Sequence, residues 1–332
     1  MTRRFRRIKV LGSGSALPAR ILRSSEIDAR LGKPAGWVEK RVGVASRPVC
    51  EAEDQIDLAT VAACRALEDA GCKPQDIDLV MFAAAVPYQS IPTTAPLIQH
   101  RLGIPEGCCA AFDINSTCLS FLTAMDVAAS MLAAGTCRQV LVISSEIASR
   151  GLPWEAEPLV AALFGDGAAA VVVGAEGEKA GILASRMATY PSGYEDCQLG
   201  AGGTRYYFHR DREEFARHTL FEMDGKALFR HTIQFFEPFL DRLLADAGWS
   251  RDDVEIVIPH QASPMALAHL AERCGFGSRI VDIMRDHGNQ IAASIPIALD
   301  TARRSGRLEP GAKALMLGTS AGLSLGGIAF VA

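Results

Sequence analysis

The sequence predicts an α/β protein made of two fused halves of similar design, and three observations lead there. First, "LVMFAAA", "QVLVISS", "AAAVVVG" and "EIVIPH" are continuous apolar runs, the pattern of strands buried on both faces. Second, residues 65–82, "RALEDAGCKPQDIDLVMF", recur 177 positions later as "RLLADAGWSRDDVEIVIP" at 242–259. Arg65, Asp69, Ala70, Gly71 and Asp76 become Arg242, Asp246, Ala247, Gly248 and Asp253. Each copy reads as an amphipathic helix ending at glycine, an acidic turn and an apolar strand. Third, "AMDVAASMLAAGTCRQVLVI" (124–143) is echoed by "ALDTARRSGRLEPGAKALML" (298–317), a helix leading through Gly135 or Gly311 into a strand. Three or five alternating layers follow, with the halves at 1–174 and 175–332 and the seam at the polar, glycine-containing stretch 172–180.

The elements then fall into order. "MTRRFRRIK" reads as a solvated basic arm, being too short and too poor in serine for a transit peptide. "VLGSGSALPAR" lacks the third glycine of a dinucleotide loop and runs into Pro18, so it reads as a first strand and turn. "AFDINST" is a strand-like run that breaks at Cys118 into the helical "LSFLTAMDVAASML". The stretch 186–220, with "GGTRYYFHRDREEF", reads as loop-rich and suited to a binding rim.

The chain has 332 residues, 49% of them hydrophobic, which is ample for a large core. A formal net charge of -4 and the lack of a broad basic face argue against a nucleic-acid binder. No apolar run reaches the roughly 18 residues of a membrane span and no signal peptide is visible, so a cytoplasmic protein is expected. Nine cysteines, an odd number without C-x-x-C spacing, form neither a disulfide framework nor a zinc pattern. Most should be inert small hydrophobes, with one or two exceptions, and no metal site is expected.

Cys118 is the candidate exception. A thiol at a helix N-terminus meets free N–H groups and the positive end of the macrodipole, which should lower its pKa. The alternative is a buried filler thiol. The second repeated pair, in which Asp126 recurs 174 positions later as Asp300, carries Cys118 to Ala292, three residues past Asn289 in "HGNQIAASIP", so the two connections are nearly equivalent. His260 ends the strand "EIVIP" and is either a loop residue or part of a site where the halves meet. Asn289 is either a turn residue beside Gly288 or a hydrogen-bond donor, and His287 is a structural neighbour. As an ordered trio, cysteine offers a nucleophile. A neutral imidazole and an amide can both donate to one carbonyl oxygen and hold an enolate formed by loss of carbon dioxide, without a metal. Other readings are a papain-like Cys–His–Asn hydrolase and a non-catalytic scaffold.

With "AFDINSTCLSFLTAM", "VIPHQAS", "DHGNQIAASIPIALD", "LFGDGAAAVVV" and "GWVEKRVGV" in this order, essentially the whole chain resembles the β-ketoacyl-acyl-carrier-protein synthase III family of the thiolase superfamily. The resemblance implies the duplicated αβαβα five-layer thiolase fold, a homodimer, and no cofactor beyond its thioester substrates. It implies that Cys118 takes an acyl group from acyl-coenzyme A. A malonyl thioester, on acyl carrier protein or coenzyme A, then loses carbon dioxide with the help of His260 and Asn289 and attacks the acyl-cysteine. It assigns the oxyanion hole to the backbone N–H of Cys118 and, in "LGTSAGLSLGG", of Ala321. Trp37, Arg41 and Arg150 match coenzyme A contacts, and Lys226 replaces an asparagine expected near pantetheine. Met265 stands where a basic residue is expected, and Glu146 where aspartate is common, with no role beyond structural support. Ile91 before Pro92 matches an acyl-pocket gate that is often phenylalanine, and so implies a primer longer or more branched than acetyl. An enzyme of the same fold using another extender or an oxygen or nitrogen acceptor is the alternative.

Overall fold

The computed structural model describes residues 5–177 and 179–332. Its strands, in chain order, are β1 (Arg6–Arg7), β2 (Lys9–Ala16), β3 (Ile21–Arg23), β4 (Ser46–Pro48), β5 (Leu79–Ala83), β6 (Ala110–Ile114), β7 (Gln139–Glu146), β8 (Gly167–Gly174), β9 (Gly181–Thr189), β10 (Cys197–Gln198), β11 (Glu222–Met223), β12 (Ile256–Pro259), β13 (Lys313–Ser320) and β14 (Ser324–Val331). Its α-helices are α1 (Ser24–Arg30), α2 (Trp37–Val42), α3 (Gln55–Ala70), α4 (Ala95–Arg101), α5 (Ser120–Ala133), α6 (Pro158–Ala161), α7 (Arg212–Arg217), α8 (Gly225–Ala247), α9 (Pro264–Ala268), α10 (Met284–His287) and α11 (Ser294–Arg304).

The order of strands in one sheet is β2-β8-β7-β5-β6, and in the other β1-β9-β14-β13-β12. Leaving β1 aside, the second order repeats the first, and a parallel bridge between Val257 and Ile280 stands where β6 stands in the first half. Side chains alternate across each strand. In the first sheet Leu79, Met81, Val140, Val142, Val171 and Val173 face one way, toward α5 and α11. Val80, Phe82, Leu141, Ile143, Ala170 and Val172 face the other way, toward α3 and α4. In the second sheet Ile256, Ile258, Met316 and Ile328 meet α5 and α11, while Val257, Leu315, Leu317 and Leu325 meet α8. The result is five layers, α-β-α-β-α, with α5 and α11 in the middle. This is the thiolase-like arrangement.

The repeat holds in detail. Gly71 after α3 and Gly248 after α8 both close their helices in the left-handed region, at φ 64° and 73°. The acidic turns match as well: Lys73 N–H donates to Asp76 Oδ2 at 2.8 Å, and Ser250 N–H to Asp253 Oδ2 at 2.8 Å. The second pair is aligned differently from the sequence expectation. Gly135 lies just past α5 and Gly306 just past α11, both left-handed, whereas Gly311 belongs to the turn before β13. The second connection is simply longer.

Two further expectations change. Residues 1–4 of the basic arm lie outside the described residues, but Arg6 and Arg7 form a strand paired with β9. Arg6 is tied to Asp126 at 2.6 Å and to Ser185 Oγ at 2.8 Å, because α5 presents a carboxylate at the sheet edge. Residues 186–189 are the end of β9 rather than loop, and α7 lies within the region that follows. The glycines of "VLGSGSA" serve close packing of β2 on α3. A Cβ at Gly12 would sit 2.3 Å from Ala70 N, and one at Gly14 2.4 Å from Arg65 Cβ. Backbone on both sides leaves no soft neighbour to move. Gly12→Ala should therefore lower the unfolding free energy by at least about 1–3 kcal/mol, read as a lower urea midpoint at unchanged m-value.

Candidate active site

The two central helices are entered through identical elbows. Before α5, Asn115 Oδ1 accepts the N–H of Thr117 at 2.9 Å, and Asn115 Nδ2 donates to the carbonyl of Ala85 at 2.8 Å. Before α11, Asn289 Oδ1 accepts the N–H of Ile291 at 2.8 Å, and Nδ2 donates to the carbonyl of Ala262 at 3.2 Å. Both are Asx turns. Each forces the residue after next into the left-handed region, Thr117 at φ 51° and Ile291 at φ 50°. These are two of the three described non-glycine residues with positive φ, and they stand 174 positions apart. One residue past each lies Cys118 in the first half and Ala292 in the second. The equivalence read from the sequence is thus a shared backbone device. It also makes Asn289, like Asn115, a hinge of its elbow, and the Oδ1 bond identifies Nδ2 as the donor. An amide nitrogen has two N–H groups, so one remains beyond the bond to Ala262.

Neighbouring glycines let the second elbow settle against the first half. Asn289 N–H donates to Leu163 O at 2.9 Å and Gly165 N–H to Asn289 O at 3.1 Å. A Cβ at Gly165 would lie 2.2 Å from His287 O, and one at Gly167 2.4 Å from Gln290 Nε2. "LFGDG" is therefore the cradle of the Asn289 loop. His260, 4% exposed, directly follows β12, with its N–H on Leu317 O at 2.8 Å. Its Nδ1 lies 2.6 Å from Ser294 Oγ at the head of α11, and that hydroxyl is also 2.9 Å from Ile291 O. Ser294 escaped the sequence reading, although its place 174 positions after Ser120, which heads α5, was there to be used. His287 is a structural neighbour whose Nδ1 faces Ile283 O at 3.1 Å.

The thiol departs from expectation. Burial pushes the Cys118 pKa far above its ordinary value, and the thiol of Cys197 and the carboxyl of Glu146 push it further. Two backbone N–H groups, those of Ala321 and of Cys118 itself, bear on Sγ and pull the other way without prevailing. The helix α5 begins only at Ser120, and its terminus does not offset the loss of water. The same two N–H groups bear on the sulfur and would lie beside the carbonyl oxygen of a thioester that it attacks. Burial alone brings His260 down to about 4, so it is neutral at pH 7. A cavity of about 950 Å³ leads to His260, Gly318 and Thr319 from a mouth edged by Lys40, Arg41 and Lys226. Its walls are largely apolar, with Phe229, Ile233 and Phe236 of α8 and Met265 and Leu270 opposite. Cys118 and Asn289 stand one residue behind the lining: Ala262, whose carbonyl holds Asn289, lines it, and Gly318, which lines it, would place a Cβ 2.6 Å from His260 Cβ and 3.3 Å from Leu119.

The remaining residues divide. Arg41 lies over the Trp37 ring, 3.9 Å from its centroid, with Lys33 Nζ at 5.3 Å. Arg150 donates to the carbonyl of Glu53 at 2.9 Å and, like Trp37, is not among the lining residues. Ile91 is 87% exposed and outside the cavity of its own chain. A protonated resting thiol has a direct consequence. Alkylation of Cys118 by iodoacetamide should stay slow at pH 7 to 8 and accelerate only well above the usual thiol range, as followed by peptide mass spectrometry across pH.

Residues 112–191 match the family 3-oxoacyl-[acyl-carrier-protein (ACP)] synthase III, and residues 244–331 match the family of its C-terminal part. A β-ketoacyl-[acyl-carrier-protein] synthase III of Rhizorhabdus wittichii is 38% identical over 313 residues, covering 92% of this chain and 93% of its own. The enzyme of that name from Bordetella petrii is 36% identical over 326 residues, 96% of each chain. Among solved structures, 3-oxoacyl-[acyl-carrier-protein] synthase III from Aquifex aeolicus superposes with a TM-score of 0.88 at 32% identity, over 98% of this chain and all of that one. The priming β-ketosynthase of the R1128 polyketide pathway gives 0.89 at 30% identity, over all of this chain and 98% of that one. The chain belongs to the β-ketoacyl-acyl-carrier-protein synthase III family of the thiolase superfamily and is a condensing acyltransferase of that type.

Proposed function

We propose that this chain condenses an acyl group held on Cys118 with a malonyl thioester. The Ala321 and Cys118 N–H groups that bear on Cys118 Sγ, with His260 lining the cavity and Asn289 just behind the lining, carry the assignment. In the first half-reaction, neutral His260 takes the thiol proton as Sγ attacks the thioester carbon of acyl-coenzyme A. The oxyanion is held by the two N–H groups. Collapse breaks the bond to coenzyme A, whose sulfur leaves with the proton from His260. In the second, a malonyl thioester places its carbonyl oxygen against His260 Nε2 and the second Asn289 N–H. The bond to the carboxylate breaks, carbon dioxide leaves, and the electron pair becomes an enolate held by those donors. Its carbon attacks the acyl-cysteine, a carbon–carbon bond forms, and Cys118 leaves as a thiolate that takes a proton from solvent, the one proton that the overall condensation consumes. His260 must accept in one step and donate in the other. The Ser294 hydroxyl supports both tautomers, since it can turn its proton to Nδ1 or to Ile291 O. The thioester and the departing carbon dioxide drive these steps, and no prosthetic group takes part in them.

Coenzyme A enters at the positive mouth. Arg41 and Lys226 receive phosphates and the adenine stacks beside Trp37; Arg150 joins only by releasing Glu53. The halves divide at 1–174 and 175–332, with β1 crossing to the second sheet. The chain acts as a cytoplasmic homodimer. β6 is the edge of its sheet with half-buried side chains, and Val86, Tyr88 and Ile91 project beside it at 45%, 43% and 87% exposure. Ile91 can gate an acyl pocket only in a second copy, since it lies outside the cavity of its own chain.

Intact mass spectrometry after exposure to a panel of acyl-coenzyme A esters should show one adduct, on Cys118, and malonyl-acyl carrier protein should then release a β-ketoacyl product. No adduct and no product with any primer or malonyl carrier would overturn the proposal. Asn289→Ala should lose about 10²–10³-fold in condensation while Cys118 still acylates, because its donor serves only the second half-reaction. Ile91→Glu should shift the mass measured by light scattering from twice the chain toward one chain.

A further inference from the structure

The duplication leaves a second elbow without a thiol, and its surroundings repeat those of the first. At the first elbow, the hairpin after β13 brings Ala321 N–H to Cys118 Sγ, beside the N–H of Cys118 itself. At the second, the Cys118 position is Ala292, and the strand equivalent to β13 is β7, which packs against residues 291–293. The last residue of β13 is Ser320 and the last of β7 is Glu146. Glu146 is 1% exposed, and its Oε1 accepts the N–H of Ala85 at 2.6 Å. The N–H groups of Ala292 and Val86 bear on the same carboxyl. Ala85 is the residue whose carbonyl anchors Asn115. One carboxyl thus joins the loop behind the Cys118 elbow to the elbow that begins at Asn289.

We propose that Glu146 fills the second half's copy of the oxyanion site as a built-in ligand, and that it is a positioning residue that sets Asn289 for decarboxylation. The proposal rests on the condensing reaction proposed above. The ionisable groups beside this carboxyl are Asp166 before β8 and Cys118 before α5, while the loop after β5 and the turn before α11 contribute backbone N–H groups. Burial outweighs the three N–H donors and holds Glu146 up to about 8. Near pH 7 the group is therefore mostly protonated and makes its bonds without a full negative charge beside the thiol. Above pH 8 it ionises, and that charge opposes both a thiolate at Cys118 and a developing enolate.

The experiment measures acylation of Cys118 by intact mass and condensation by product, separately, from pH 6 to 9.5, in wild type, Glu146→Ala, Glu146→Gln and Glu146→Asp. Glu146→Ala should lose about 10²-fold in condensation, the scale of a small misplacement, with a much smaller loss of acylation through Ala85 and the Cys118 elbow. Wild type should lose condensation above pH 8. Glu146→Gln, which cannot ionise, should condense more slowly but without that alkaline decline. Glu146→Asp should recover condensation over Glu146→Ala. Equal loss of acylation and condensation in Glu146→Ala, or the same alkaline decline in Glu146→Gln as in wild type, would overturn the proposal. If Glu146→Ala does not fold, the Glu146→Gln profile still decides. A wild type that yields no product would overturn the condensing reaction itself, whereas a productive wild type matched by Glu146→Ala would overturn only the role of Glu146.

Discussion

The site depends on a backbone constraint, a left-handed turn at a β-branched residue made twice. Thr117 and Ile291 occupy a region that such side chains avoid, at a cost of roughly 1–3 kcal/mol each. Each turn is held by an asparagine whose oxygen takes the N–H of that residue and whose nitrogen grips a strand-end carbonyl. A relaxed turn would move Cys118 off the N–H of Ala321, and would move Asn289 off the loop that also carries His260. The strain is local, but what holds it is distant: the cradle 163–167 for one elbow, and the β13–β14 hairpin for the other.

Around those turns the protein removes charge rather than supplying it. His260 is neutral because it is buried, the thiol of Cys118 is held protonated for the same reason, and Glu146 is pushed up toward neutrality. The cations are at the mouth, where Lys40, Arg41 and Lys226 meet solvent. A phosphate would be attracted to the entrance, whereas the interior is where an unpaired charge is most costly and fixed N–H dipoles count for most.

Much of this was legible beforehand because it is periodic or repeated. Uninterrupted apolar runs marked β5, β7, β8 and β12, and the recurrence of Gly71 as Gly248 exposed the duplication. Carrying Cys118 forward by the 174 residues that separate Asp126 from Asp300 pointed to the second elbow. What stayed hidden depends on the company a residue keeps across the fold. Helix position suggested an acidic thiol at Cys118, but enclosure by both halves raises its pKa. Arg6 read as a solvated charge because Asp126 is far along the chain. Glu146 was given no role beyond structural support, since its partners Ala85 and Ala292 offer only backbone. Gly311 was paired with Gly135 because loop lengths differ between the halves, and spacing alone cannot see where a helix stops.

The meeting of Cys118 with Ala321 has a temporal side. The elbow, the helix α5 and the whole first sheet except its setting against the second can be made early. Yet the second N–H at the sulfur comes from a residue translated long after it. Until residue 321 has been made and the β13–β14 hairpin closes, the cysteine lacks one of the two donors that would hold an oxyanion. On the reaction proposed above, a growing chain carries its nucleophile in an unarmed form, and chemical competence arrives together with completion of the second sheet.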